Sequence, residues 1–149
     1  ANTWVDLGSG AGFPGLVIAC VLAGEPNKTI YLVESNAKKA AFLREAARIL
    51  DIPARVHPVR IEDFVQKFPV SPDVVTARAL APLDKLLSLC HPLLESGARG
   101  LFLKGQDVEA ELTKASKCWN MDAQLVSSKT SSSGRIVVVR QIRRRTANR

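Results

Sequence analysis

The sequence predicts one α/β domain built on a mostly parallel sheet that closes with an antiparallel hairpin. Three observations predict it. Short apolar runs alternate with helical stretches through five strand–helix units. A glycine-rich turn joins the first apolar run to the first helix, and the last two strand-like runs have no helix between them. At 149 residues the chain is about one domain long, enough to bury a proper core.

Residues 4–7 read as the first strand, which leads into Asp6-Leu7-Gly8-Ser9-Gly10-Ala11-Gly12-Phe13-Pro14-Gly15. Glycine adopts positive φ and lets the backbone approach a ligand with no Cβ in the way. Pro14 suits the first turn of a helix over 14–23, where its missing N–H is an orphan donor anyway. Such a helix N-terminus faces a polar ligand such as a carboxylate or phosphate. Gly24-Glu25-Pro26-Asn27 is a turn, and residues 29–34 form a second strand ending on Glu34. Residues 37–50 are the clearest helix. Ala40, Leu43, Ala47 and Leu50 recur on one face, while Lys38, Lys39, Arg44, Glu45 and Arg48 lie elsewhere.

The third strand is read at 54–59 and a short buried fourth at 73–77. A helix over 83–94 stops at Ser96-Gly97, a fifth strand spans 99–104, and a helix covers 108–117. Residues 124–127 and 135–142, joined through Ser131-Ser132-Ser133-Gly134, complete seven strands. The arginine-rich end past Ile142 is expected to fray. The domain is therefore set at 1–142 with a basic tail at 143–149, and no internal repeat appears.

Hydrophobic content of 46% and charged content of 23% are ordinary globular values. A net charge of +7 points to nucleic acid or another acidic partner more than to a membrane. Part of it is concentrated in Arg140, Arg143, Arg144, Arg145 and Arg149. Cys20, Cys90 and Cys118 are odd in number and widely spaced, which supports neither a disulfide framework nor zinc. A reduced, cytoplasmic protein is the simpler reading. No stretch approaches the roughly 20 apolar residues of a membrane span, and no signal peptide is visible. The chain reaches its first strand almost at Ala1, so a fragment with a piece missing upstream is expected.

Gly10 to Gly15 literally matches G-x-G-x-x-G, and Glu34 lies about 20 residues on, which is the dinucleotide fingerprint. The strand ends earlier, however, so Gly8, Gly10 and Gly12 are better read together as D-x-G-x-G-x-G. That form resembles the first motif of class I methyltransferases and implies a loop around the methionine part of S-adenosylmethionine. Glu34 at a strand end suits the two ribose hydroxyls in either enzyme class. Asp6 has a second reading, as a helix cap or loop brace.

Arg60-Ile61-Glu62-Asp63-Phe64 follows the third strand, beside where the adenine end of a nucleotide would stand. Ile61 could cover a ring face and Glu62 accept from an exocyclic amine. Glu62 could equally cap a helix starting near Asp63. Arg78 follows the fourth strand at the carboxyl edge, where open α/β sheets bind ligands. An Asn-Pro-Pro-Tyr-like motif is absent there. An arginine fork suits a cofactor carboxylate or RNA phosphate, with a surface ion pair as the other reading.

Taken in order, these segments resemble one family over nearly the whole chain. The glycine loop with Phe13-Pro14-Gly15, Glu34-Ser35-Asn36-Ala37-Lys38-Lys39 with Phe42-Leu43, Arg60 to Phe64, Ala77-Arg78-Ala79 and Leu103-Lys104-Gly105 carry the likeness. The family is the bacterial methyltransferases of nitrogen 7 of a guanine in small-subunit (16S) ribosomal RNA, also called glucose-inhibited division protein B. The resemblance implies a class I, Rossmann-like methyltransferase fold, S-adenosylmethionine as cofactor, and ribosomal RNA or the small subunit as partner, with the enzyme a cytoplasmic monomer. It places cofactor contacts on Gly8, Phe13, Ile61, Glu62 and Arg78, with Glu34 at the ribose position and Gly10 and Gly12 completing the loop. The chain departs in two places: a helical segment before the first strand is expected to be absent, and Gly134-Arg135-Ile136 stands where the family has Arg-His.

The implied chemistry asks little of the protein. Nitrogen 7 of guanine has a free lone pair, so attack on a sulfonium methyl needs positioning and exclusion of water rather than a general base. His57 and His91 read as packing or capping residues, and no catalytic residue is assigned. Lys38, Lys39, Arg44, Arg48, Lys104, Arg135 and the terminal arginines are candidate phosphate contacts, each with a plain solvated-charge reading beside it. Two rivals remain. A nicotinamide-dependent oxidoreductase lacks room for a substrate domain, and a noncatalytic RNA-binding module would keep the fold without the cofactor.

Overall fold

The computed structural model describes residues 1–67, 69, 71–78 and 80–146. The elements run β1 (Thr3–Leu7), α1 (Gly15–Leu22), β2 (Thr29–Val33), α2 (Ala37–Leu50), β3 (Ala54–His57), α3 (Ile61–Lys67), β4 (Val74–Arg78), α4 (Leu83–Glu95), β5 (Arg99–Lys104), α5 (Val108–Ser116), β6 (Trp119–Ser127) and β7 (Arg135–Arg144). They form one seven-stranded sheet in the order β3-β2-β1-β4-β5-β7-β6. The first five are parallel, and β7 runs antiparallel to both β5 and β6. This is the mostly parallel sheet with a closing hairpin that the sequence predicts.

The strand order reverses direction between β1 and β4, the place where such sheets open a ligand crevice. Both strands are covered on two sides, so their sequences are nearly continuous apolar runs. In β4, Val74, Val75, Thr76 and Ala77 are each 1% exposed or less. Strand alternation sends Val5, Leu7, Val75, Phe102 and Val137 to one face, against Phe64 of α3, Leu86, Leu87 and Leu93 of α4, and Val108 of α5. Ile30 and Leu32 go to the other face, against Ala19 of α1 and Leu43 of α2. Each fully buried leucine contributes about 1.5–3 kcal/mol on transfer from water.

Several boundaries move for local reasons. Pro14 is the residue just before α1 rather than part of its first turn. The N-cap of α2 is Asn36, whose side chain accepts from the Lys39 amide at 3.0 Å. On α2 only Ala40 and Leu43 are buried, while Leu50 is 53% exposed. The chain enters α3 at Ile61, so Ile61 and Glu62 lie in its first turn rather than ahead of it. Helix α4 continues through Pro92 to Glu95, which puts His91 inside the helix. β6 begins at Trp119, because that buried ring packs under the Arg144 guanidinium at 4.9 Å and against His91.

β7 continues to Arg144, so Arg143 and Arg144 pair with Asn120 and Trp119 instead of fraying at Ile142. The Arg145 amide donates to the Cys118 carbonyl at 2.8 Å. Arg149, read with the basic tail, lies outside the described residues, as does Ala79 of the Ala77-Arg78-Ala79 match. Among the described residues no helix is long and apolar enough to cross a membrane.

Candidate functional site

The loop after β1 is held in a conformation that only glycine takes easily. Gly8, Gly10 and Gly12 have φ of 67°, 55° and 101°. The amides of Gly8 and Ser9 both donate to the Val33 carbonyl, at 2.9 and 3.1 Å, which ties the loop to the end of β2. A Cβ on Gly8 would lie 2.7 Å from Leu80 Cδ1, and one on Gly12 would run into Leu16. A Cβ on Gly10 would meet nothing nearer than the Gly8 carbonyl at 3.9 Å, so that edge of the loop is open.

Glu34, 8% exposed, braces this loop. Its Oε1 accepts from the Gly10 amide at 2.8 Å and its Oε2 from the Asn36 amide at 2.9 Å. Each oxygen keeps a lone pair for a further donor. The carboxylate therefore fixes the glycine loop against the start of α2 and still faces the groove.

Asp6 sits beneath the loop, 1% exposed. Its Oδ1 accepts from Thr76 Oγ1 of β4 at 2.7 Å, while its Oδ2 is buried without a hydrogen bond. Gly15 makes room for it at the start of α1, and the Gly15 amide faces the carboxyl without closing a hydrogen bond. Burial raises the Asp6 pKa from 3.8 to about 6, offset in part by Thr76, Ser9 and that amide. The Asp6 carboxyl thus ties β1 to β4 beneath the loop.

A groove of about 500 Å³ opens at the carboxyl ends of β1, β2, β3 and β4. It brings together Gly8, Gly10, Glu34, Ile61, Glu62 and Arg78, six of the eight cofactor positions that the sequence singles out. Gly12 and Phe13 stand apart from it: Gly12 accepts the Leu16 amide at the entry to α1, and the Phe13 ring is 58% exposed. Val33, Ser35, Lys39, Val59, Arg60, Leu80, Ala81 and Leu89 also line the groove. Most follow the ends of β2, β3 and β4, so strand order alone could have nominated them. Arg78, exposed at the last rung of β4, makes no ion pair among the described residues.

The candidate phosphate-binding cations divide. Lys38 and Arg44 are exposed on α2, and Lys39 borders the groove itself. Arg48 pairs with Glu45 on the helix surface. Arg135 spends its guanidinium on the carbonyls of Ser132 and Gly134, at 3.2 and 2.9 Å, holding the hairpin loop. Lys104 is not a surface cation: its side chain is 6% exposed and pairs with Glu111 at 3.1 Å. His57 packs among Tyr31 and Phe64, its pKa lowered by burial and then by Arg44 and Arg55. His91 contacts Glu95 at 3.2 Å.

A wider hollow of about 1090 Å³ lies at the opposite edge, between Asp73, Arg99 and the β6–β7 irregularity near Asn120 and Asp122. None of its lining follows the carboxyl end of a parallel strand, so the smaller groove is the better site.

Residues 1–141 match the family model described as rRNA small subunit methyltransferase G, GidB. The ribosomal RNA small subunit methyltransferase G of Nitrobacter hamburgensis is 55% identical over 145 residues, which is 97% of this chain and 56% of the relative. That of Bradyrhizobium sp. (strain ORS 278) is 53% identical over 98% of this chain and 66% of its own. The chain thus spans between about half and two thirds of the length of these relatives. Among solved structures, a putative rRNA methylase from Clostridium thermocellum superposes with a TM-score of 0.67 at 12% identity, covering 99% of this chain and 88% of that one. A SAM dependent methyltransferase from Aquifex aeolicus gives 0.68 at 16%, covering 93% and 81%. The fold is that of the S-adenosylmethionine-dependent methyltransferases, and the chain belongs to the GidB family of rRNA small subunit methyltransferases.

Proposed function

We propose that the groove beside the glycine loop holds S-adenosylmethionine and that the protein transfers its methyl group to nitrogen 7 of a guanine in small-subunit (16S) ribosomal RNA. The observation that carries the reading is convergence. Residues from four separate strand ends, chosen by motif, line one groove next to a positive-φ glycine loop. The open edge at Gly10 is where a Cβ would occupy ligand space. Family membership supplies the RNA substrate class, and residues 1–142 are taken as the domain that performs the reaction.

Each lining residue has a matching role. Glu34 has lone pairs left for two vicinal hydroxyls while its oxygens hold the loop. Ile61 offers an apolar surface for a purine ring, and Glu62 an acceptor for an exocyclic amine at the first turn of α3. Arg78, without an ion pair among the described residues, suits the amino-acid carboxylate or an RNA phosphate. When bound, the cofactor supplies an electrophilic sulfonium methyl. The protein aligns that methyl with the guanine lone pair and keeps water out. Lys39 at the groove, with Lys38 and Arg44 exposed on the same helix, are the phosphate contacts that would steer RNA to it in the cytoplasm.

The test is twofold. Titration calorimetry should give heat with S-adenosylmethionine and none with NAD; the reverse returns the nicotinamide reading. Labelled methyl should then appear on small-subunit RNA, with the label mapped to guanine nitrogen 7. Label on an amine or a cytosine sinks the substrate assignment, and RNA binding with no cofactor binding would mark a noncatalytic module.

A further inference from the structure

The wall of the groove opposite the glycine loop is made by Leu80 and Ala81, whose backbone belongs to no helix or strand. Pro82 precedes α4 with no side-chain cap and has no N–H of its own. The Leu83 amide is then one of the orphan donors at the start of a helix. The Ala81 carbonyl faces inward from a turn rather than a ladder. Both groups find their partners in one ion pair from outside the segment, its lysine buried and its glutamate partly exposed. Lys104 Nζ, at the end of β5, donates to the Ala81 carbonyl. Glu111 Oε1, on α5, accepts from the Leu83 amide at 2.9 Å and pairs with Lys104 Nζ at 3.1 Å. The pair therefore grips the backbone on either side of Pro82.

What this grip controls is the distance across the groove. The space for a Gly8 Cβ is taken by Leu80, so the two walls already meet there. Ala81 borders the groove and also a second, shallower hollow with Trp119. A small outward shift of the 80–83 segment would widen the groove, and an inward one would close it on Gly8. We propose that Lys104 and Glu111 are positioning residues that set the groove's width, and through it the affinity for cofactor, without touching the cofactor themselves. Charge suits the task because removing either partner leaves the buried Lys104 ammonium or the Leu83 amide unpaired. This step rests on the cofactor reading above, and its test separates the two.

Amide exchange of Leu83 and Leu86, which donate to Glu111 Oε1 and to the Pro82 carbonyl, and the affinity for S-adenosylmethionine would be measured in the parent, Lys104→Met, Glu111→Gln and the double variant. Lys104→Met should speed exchange at these amides about tenfold and weaken binding about tenfold. Glu111→Gln keeps an oxygen for Leu83 and should lose about threefold in each. The double variant should be little worse than Lys104→Met, since the two act as one device. Val139→Ala, in the core of β7, should lower the melting temperature yet leave loop exchange and affinity at parent values.

Equal loss in Val139→Ala, parent-like exchange in Lys104→Met, or weakened binding with unchanged exchange would each overturn the proposal. If Lys104→Met does not fold, Glu111→Gln decides by the same criteria. A parent that binds no S-adenosylmethionine refutes the cofactor reading, and the exchange arm then decides alone whether the pair fixes the loop.

Discussion

The two walls of the groove are built on different principles. The glycine wall is local: Gly8 to Gly12 take positive φ, and their amides are tied to Val33 and Glu34 at the next strand end. The opposite wall, Leu80 and Ala81, is fixed by Lys104 and Glu111, which come from β5 and α5. A wall made by backbone conformation is strained by any side chain at its positive-φ positions, whereas one held by a charge pair tolerates changes of shape but not of charge. Asp6 joins them, because its Oδ1 accepts from Thr76 in the strand that carries the second wall.

The sharpest way to break the comparison is Gly8→Val, because it strikes both walls at once. The new side chain would sit at φ 67° and drive into Leu80. Left-handed strain and overpacking together should cost about 3 kcal/mol in urea unfolding. Cofactor binding should fall below detection in calorimetry. Gly10→Ala is the matched control: it has open space, so stability should drop only about 1 kcal/mol. If Gly8→Val binds like the parent, the walls do not meet at Leu80.

Next in size is the pH dependence that Asp6 imposes. Its folded pKa of about 6 lies above the ordinary 3.8. Between those values the folded state binds more protons than the unfolded one, so stability falls as pH rises through that window and levels off above it. The full difference is about 3 kcal/mol. Asp6→Asn lacks this term, so its stability relative to the parent should rise by about that amount from pH 3.5 to pH 7 in paired urea titrations. A pH-independent difference would mean that the buried oxygen is hydrated after all.

These contrasts also explain what could be read from the chain alone. The glycine wall was legible because φ > 0 leaves a mark in the composition at fixed spacing, and Glu34 stands at the end of an apolar run. Strand-end placement brings Ile61, Glu62 and Arg78 to one edge, while their assignment to the cofactor comes from the family resemblance. From sequence Lys104 reads as a surface cation, because nothing beside it shows that the turn at 105–107 folds Glu111 of α5 back onto it. The sequence places the start of β6 at 124 rather than 119, because the extension pairs with Arg143 and Arg144, which read as a fraying tail. Local conformation leaves a sequence signature; a charge pair closed only by the fold does not.

Glu34→Gln tests how much of the glycine wall depends on charge. One of its two amide-accepting oxygens becomes a donor facing the Gly10 or Asn36 amide. Losing one charge-assisted hydrogen bond costs about 1.5–3 kcal/mol locally. Much of that should appear as roughly tenfold weaker cofactor binding. An affinity unchanged from the parent would leave the loop standing without its brace and would place the ribose elsewhere.

The smallest effect should come from the cations outside both walls. Lys38 and Arg44 are exposed on α2, and neither lines the groove. Each contributes to RNA affinity only as a phosphate contact, and each phosphate contact contributes about one unit to the slope of log affinity against log salt. The double variant Lys38→Ala with Arg44→Ala should therefore weaken binding to small-subunit RNA by less than about tenfold at moderate salt and flatten that slope by about two. Its affinity for S-adenosylmethionine should not move, because no groove contact is altered. A variant that loses cofactor affinity along with RNA affinity would show that α2 positions Lys39 and the glycine wall rather than the RNA.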